Sequence, residues 1–462
     1  MLSRRAAFGG LATSLAFSGL ALAQTADPAA ESYLNQVYGY GPLKSDPRRM
    51  LDLPEGFSYR VISQAGETMS DGLLVPGKAD GMGCFAADED RVLLVRNHEL
   101  SPGEFDYGAF GLGGRLASRA RSVYDFHRNG LPLPGGTTTV LYDLKRRELI
   151  SQHLSLAGTI VNCAGGVTPW GSWISCEETT QRSGGLVGQD HGWAFEVPAS
   201  ARGPVAPIPL KGLGRFKHEA ACVDPRTGVI YLTEDMADGL FYRFLPNDRT
   251  RPSKGGQLQA LALKGSSGAD TRNWNGQLSW AKGDWKEATW VELDGVDNPH
   301  DDLRLRGHAS GAALFARGEG IFFGKGELFF TCTSGGAANI GQMMRYVPSA
   351  AEGQPGERDL PARLQLFVEP DNGKIMNYAD NIAVTPWGHV IACEDQYTAV
   401  HTNHLKGITP EGKVYTLGRN AFRGSSEFAG VCFSPDGQTM FVNIQTPGIT
   451  LAINGPWAKF RA

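Results

Sequence analysis

The chain has 462 residues, with 60 Gly, 26 Pro, 20% charged residues and a formal net charge of −4. This excludes a disulfide-stapled mini-protein, a disordered chain and a protein that grips a nucleic-acid backbone by charge alone. Glycine is well above its usual share without a collagen period, so the excess belongs in tight turns between many short strands.

In chain order, Ser3-Arg4-Arg5-Ala6-Ala7-Phe8 opens a mild apolar run that ends in Ala21-Leu22-Ala23. That is the small-x-small cleavage pattern of an export signal over residues 1–23. The paired arginines, and the Gly, Ser and Thr that dilute the apolar run, resemble a twin-arginine signal, with Phe8 one place later than usual. The expectation is a soluble protein exported folded by the twin-arginine machinery, to the periplasm or beyond. No later segment approaches the ~18 uninterrupted apolar residues of a membrane span. Residues 24–56 read as an N-terminal extension and 57–462 as one domain. Seven cysteines in an oxidising compartment leave at least one unpaired, and no CxxC occurs. All but one read as buried apolar residues.

The clearest internal repeat aligns Val167-Thr-Pro-Trp-Gly-Ser-Trp-Ile-Ser-Cys-Glu-Glu178 with Val384-Thr-Pro-Trp-Gly-His-Val-Ile-Ala-Cys-Glu-Asp395. A looser pattern of polar entrance, short strand, turn, short strand and polar exit adds four copies. They run from Gly83-Cys84 to Glu99, from Glu219 to Asp235, from Glu319 to Thr331 and from Glu427 to Asn443. Each reads as a hairpin, with Pro225-Arg-Thr-Gly228 and Ser434-Pro-Asp-Gly437 as turns. Six hairpins predict an all-β, six-bladed β-propeller, with the strand from Phe57 to Ser63 closing the ring beside the last blade. The stretches 102–136 and 255–302 read as insertions folded over one face.

A hairpin returns its ends side by side, so entrance and exit residues gather at one mouth of the channel. Asp80, Glu99, Glu177, Glu178, Glu219, Glu234, Asp235, Glu319, Glu394, Asp395 and Glu427 meet there, with Asn97, Asn162, Asn381 and Asn443 among them. So many carboxylates would repel one another strongly unless cations lie between them. Oxygen donors suit hard ions such as calcium. Cys163, in the polar turn Asn162-Cys-Ala-Gly-Gly166, stands where other copies carry Glu; it reads either as a buried apolar residue or, better, as a thiolate ligand for a transition metal. Arg96, Lys217, His218, Arg317 and Lys325 break the acidic ring. Arg317, two residues before Glu319, is the first choice for clamping a phosphate beside metals, because its planar fork matches phosphate oxygens. Lys325 belongs in a turn at the far end.

Taken together, these segments resemble the PhoX family of bacterial alkaline phosphatases. The matching stretches are Arg96-Asn-His-Glu99, Asn162-Cys-Ala164, Thr168-Pro-Trp-Gly171, Cys176-Glu-Glu178, Lys217-His-Glu219, Ala316-Arg-Gly-Glu-Gly320, Cys393-Glu-Asp395, Phe428-Ala-Gly430 and Phe433-Ser-Pro-Asp-Gly437. They span most of the chain from about residue 80 to residue 457. The resemblance implies a six-bladed propeller, twin-arginine export and hydrolysis of phosphate monoesters at ferric iron plus calcium. It implies Cys163 and Glu219 as iron ligands with Asp235 or Glu234. Asn97, Glu99, Glu177 and Glu178 would hold calcium, with Glu394 and Asp395 as further ligands. Arg317 would grip the substrate phosphate with Lys217, and Glu319 would be a catalytic metal ligand beside it. The turn reads Arg-Gly-Glu-Gly where Arg-Pro-Glu-Gly is the family pattern. Two other readings stay open: a six-bladed calcium-dependent lactonase or esterase, and a non-enzymatic binding propeller with structural calcium. Cys163 and Arg317 at the same mouth would separate the phosphatase from both. A monomer is expected, since propellers cover their own strand edges, with a small phosphate ester as the partner.

Overall fold

A computed structural model describes residues 32–274, 279–396, 402–422 and 426–460. The export signal expected over residues 1–23 lies outside the described residues. The described chain is built on short antiparallel strands, with one short α-helix at Leu303–Ala309. No helix among the described residues is long and apolar enough to cross a membrane.

The predicted hairpins form. Asp224 accepts from Gly228, whose φ of +80° only glycine adopts freely, and His218–Val223 pairs with Ile230–Glu234. Ser434 and Gly437 close the last turn in the same way, joining Phe428–Phe433 to Thr439–Ile444. The first strand of each hairpin lies innermost: Ala79–Ala86, Asn162–Val167, His218–Val223, Gly318–Gly324, Ala379–Val384 and Phe428–Phe433. Each of these packs beside the next, and the last beside the first. The inner strands are buried on both faces, because neighbouring sheets stack face to face through Leu, Ile, Val and aromatic side chains. The result is an all-β, propeller-like arrangement. Ser58–Gln64 pairs with Ile449–Asn454, so the N-terminal strand completes the last sheet.

Two features depart from the sequence reading. The stretch 255–302 is not purely an insertion. Gly256–Leu263 is the fourth strand of its sheet, carried by the buried Leu258, Ala260 and Leu261. Trp285–Glu292 then pairs both with Gly256–Leu263 and with Ala362–Val368. This strand fuses two hairpin units into a nine-stranded sheet, so hydrogen bonding connects the strands into five sheets rather than six separate blades. The described part of the N-terminal extension is docked: Leu51–Pro54 pairs with Val414–Asn420, and Leu34 and Gln36 donate to Lys374 and Val414.

Residues 102–134 contain three 3-10 turns and join the strands Arg91–His98 and Gly135–Asp143. They are anchored by Asp125, which accepts from Gly188 and Gln189 and faces His191 Nε2 at 3.1 Å. The other ring nitrogen lies 2.6 Å from Glu177. Burial opposes a charge on His191, but Glu177 and Asp125 more than offset it and raise its pKa to about 9.

Two predictions follow from this packing. Because folding raises the His191 pKa from 6.5 to about 9, its stabilisation is complete below pH 6.5 and lost as pH rises through 9. His191→Gln should therefore flatten the pH dependence of unfolding free energy across that window by roughly 2–3 kcal/mol, read from denaturant melts at both ends. At Gly320 a Cβ would stand 2.4 Å from the Asp380 carbonyl oxygen of the next inner strand. Gly320→Ala should destabilise by about 1–3 kcal/mol in the same assay.

Candidate active site

The six inner strands share one irregularity near their starts. Register shifts fall between Ala79 and Met82, Asn162 and Gly165, His218 and Ala221, Gly318 and Ile321, Ala379 and Ile382, and Ala429 and Cys432. A bulge of this kind re-aims the side chain at its first position. In five strands that position is Asp80, Cys163, Glu219, Glu319 or Asp380. The sixth offers only Ala429 and Gly430, and Glu427 just ahead of the strand takes part instead. The residues before four of these strands, Lys78, Val161, Arg317 and Tyr378, all have φ between +44° and +52°. Their carbonyls accept from Glu99, Glu178, Thr333 and Asp395, one residue past each return strand. Asp235 and Gln445 take the same place, bonded to Lys217 and Glu427. Two tiers of donors thus face the axis at one end.

This geometry sorts the paired acids that the sequence left unresolved. Successive strand residues point to opposite faces. The first of each pair turns away into its own sheet, and the second enters the mouth. Glu177 accepts from the Ile160, Gly192 and Trp193 amides besides meeting His191. Glu394 accepts from Asn377 and His404. Glu234 accepts from Leu240 and the Tyr242 hydroxyl. The expectation that Glu177, Glu234 and Glu394 are metal ligands is corrected accordingly. Asn97 is also not a ligand: its amide donates to the Cys163 and Ala164 carbonyls, and its oxygen accepts from Trp173 and Ser175. It braces the bulge that carries Cys163. Arg96 and His218 are buried away from the mouth, Arg96 on Thr138 and Thr450 and His218 on the Gly214 carbonyl.

The remaining donors converge. Cys163, Glu178 and Glu219 have ligand atoms within 4.8 Å of one another, as do Asp80, Glu99 and Glu427; Glu219, Glu319 and Asp380; and Asp380, Asp395 and Glu427. Cys163 Sγ lies 3.2 Å from Glu219 and 3.7 Å from Asp80. Above them opens a cavity of about 820 Å³. Its described lining includes Glu99, Cys163, Glu178, Asp235, Glu319, Asp380, Asp395 and Glu427, with Arg317 as the one cation. Arg317 Nε is 2.7 Å from Asp235 and its Nη2 2.8 Å from Glu319. Lys217 reaches Glu178 at 3.8 Å from outside that lining. Lys325 lines a separate apolar cavity of about 490 Å³ at the far end of the inner strands.

Burial and mutual repulsion dominate the electrostatics. Burial first, then Glu319 and Asp380, pushes Glu219 well above the carboxylate range. Asp80, Glu178, Glu319 and Glu427 are raised likewise, while burial and Asp395 bring Asp380 to about 7. Glu99 also reaches about 7. Burial and the surrounding carboxylates raise the Cys163 thiol. Asp235 alone is lowered: Arg317 outweighs its burial. Oxygen-rich sets with one thiol fit metal ions, and the buried Glu219 Oε2, which has no hydrogen-bond partner among the described residues, fits a ligand atom. Such a site can neutralise and orient an anionic group, with Arg317 as a fork at its edge.

Sequence reasoning thus places Cys163, Glu219, Glu99, Glu178, Asp235, Arg317, Glu319 and Asp395 together, and the structure brings them to one mouth. It misses Asp380, taking Asn381 instead. The repeat held the signal: Asp380 stands five residues before Thr385, as Cys163 stands five before Thr168.

No curated protein matches the sequence. Among solved structures, Pseudomonas fluorescens PhoX in complex with vanadate, a transition state analogue, is similar at a TM-score of 0.66 and 17% identity, over 88% of this chain and 96% of that one. At that identity the likeness shows the fold. The gluconolactonase XC5397 of Xanthomonas campestris is similar at a TM-score of only 0.37 and 13% identity, over 86% of this chain and 100% of its own. The sequence matches the family described as alkaline phosphatase PhoX over residues 38–109 and 134–448, leaving out most of the stretch between Arg91–His98 and Gly135–Asp143. The chain therefore belongs to the PhoX alkaline phosphatase family, and is a metal-dependent phosphatase acting on phosphoric monoesters.

Proposed function

We propose that this phosphatase is an exported, periplasmic enzyme that releases inorganic phosphate from small phosphate monoesters at an iron and calcium cluster in the mouth of a six-bladed propeller. The observation that carries the reading is that a thiol, Cys163, and a guanidinium, Arg317, line the same acidic cavity. Six inner strands with the same bulge support six blades, two of them joined edge to edge. The signal over residues 1–23 supports export, and a monomer is the expected state.

Cys163 with Glu178 and Glu219 would hold iron, since a thiolate favours a transition metal over calcium. The all-oxygen groups built on Asp80, Glu99 and Glu427, on Glu219, Glu319 and Asp380, and on Asp380, Asp395 and Glu427 suit calcium. When bound, such ions polarise the phosphoryl oxygens and neutralise charge that develops on them. The chain's own residues then position the ester. Asp235 and Glu319 hold Arg317 in one orientation, so that its outer N–H groups can take phosphate oxygens as the charge grows. Lys217, tethered to Glu178, adds a long-range attraction for the incoming anion. Gln445, 2.6 Å from Glu99 and 3.2 Å from Asp80, keeps those carboxylates turned to the cavity.

Purified protein should contain iron and calcium by elemental analysis and lose hydrolysis of a chromogenic phosphate monoester when a chelator is added. Cys163→Ala should lose iron and at least about a hundredfold in turnover; full metal content with full activity would remove Cys163 from the site. Arg317→Ala should keep its metals but lose about 10²–10³ in kcat/KM, and unchanged kinetics would remove the clamp. Because Asp380 and Glu99 titrate near 7 and only their ionised forms ligate, protons leave as pH rises and calcium affinity should climb. Metal-stripped protein should gain up to about tenfold in calcium affinity per pH unit and per displaced proton as pH rises from 5.5 through 7, in a calcium titration.

A further inference from the structure

The stretch 110–133, which the family match leaves out, has a chemistry unlike the rest of the chain. It carries Arg115, Arg119, Arg121 and Arg128 against one carboxylate, Asp125, in a protein of net charge −4. Asp125 is already committed to His191 and backbone amides. All four arginines are exposed, and among the described residues none of them is in an ion pair. The same stretch exposes large apolar side chains, Leu112 at 70% and Phe126 at 47%, and Tyr107 just ahead of it is 66% exposed. Exposed basic residues interleaved with exposed leucine and aromatic rings are the chemistry of a surface that meets anionic lipid headgroups and the acyl boundary beneath them.

Its place in the fold gives this patch a consequence. Arg91–His98 runs to Glu99 in the cavity wall, and Gly136 pairs with His98 on the way back. The insertion therefore leaves and re-enters at the mouth. Gly77 donates to the Tyr107 carbonyl, and His127 bridges to Val187 in the loop that follows Glu178. The two ends of the insertion stand on the rim of the catalytic face. We propose that this insertion docks the mouth of the enzyme on an anionic lipid bilayer, with Arg115, Arg119, Arg121 and Arg128 at the headgroups and Leu112 and Phe126 in the interface. Charge complementarity selects the occupant, and the apolar side chains select a bilayer over a soluble polyanion.

The test is co-sedimentation of the mature protein with vesicles of phosphatidylcholine plus phosphatidylglycerol, against phosphatidylcholine alone. The protein should sediment with the anionic vesicles only, and less at high salt. Arg115→Glu with Arg121→Glu should lower binding at least about tenfold, and Leu112→Ser with Phe126→Ser should lower it by a comparable factor. Both variants should keep the parent melting temperature and the parent rate on a soluble chromogenic ester, which separates docking from chemistry. Absence of binding to anionic vesicles overturns the proposal. So does loss of binding in the arginine variant with none in the Leu112/Phe126 variant, which would make the patch a site for soluble polyanions.

Discussion

The structure depends on the cost of holding buried carboxylates and a thiol within a few ångströms of one another. Like charges at such separations in a dry interior repel by many kcal/mol, and Asp80, Glu219, Glu319 and Asp380 are all deeply buried. The fold cannot avoid this crowding, because five bulges deliver their first side chains to one axis. The charge balance must come from protons, from Arg317 and from metal ions. This is why the carboxyl groups are pushed upward while Asp235, beside Arg317, is not.

Holding the donors in place against that repulsion falls to the backbone. Asn97, Thr233, Thr331 and Asn443 stand at equivalent places on their return strands. Each donates to a bulge carbonyl of the next inner strand, at Cys163, Glu319, Asp380 and Asp80. Cys163, Glu319, Asp380 and Asp80 are thus each tied at the carbonyl by a neighbouring sheet, which holds the bulge that aims the side chain. Gly81 and Gly320 permit this closeness, since any Cβ there would press on Ala164 or Asp380. Pre-aligned donors lower the reorganisation needed to bind and react.

The ring is not symmetric. One position holds a thiol rather than a carboxylate, and one holds no donor and is served by Glu427 and Gln445. Of the residues preceding the inner strands, Arg317 is the one whose guanidinium reaches across the cavity wall, to Asp235 and Glu319. A positive φ at Arg317, costly for any residue but glycine, is held by the Thr333 amide on its carbonyl. The insertion at 110–133 adds a second asymmetry, placing basic and apolar groups beside the mouth on one side.

Much of this was legible before the structure. The Val-Thr-Pro-Trp-Gly repeat, the turn residues of the hairpins and the acids at strand ends marked an all-β ring with its charge at one mouth, because strand alternation and turn chemistry are local and written in consecutive residues. Cys163 stood out because it replaces an acid in a repeated place. What sequence reasoning could not decide was which member of Glu177–Glu178, Glu234–Asp235 and Glu394–Asp395 faces the axis, since a one-residue change of register inverts the answer. Nor could it see that Asn97 braces rather than ligates, that Asp380 completes the ring, or that Trp285–Glu292 fuses two units. Those outcomes depend on where one sheet lies against the next. The sequence determined the donors and their order; only the packing of separate sheets decided their direction, because a side chain's face is set by hydrogen bonds to strands far away in the chain.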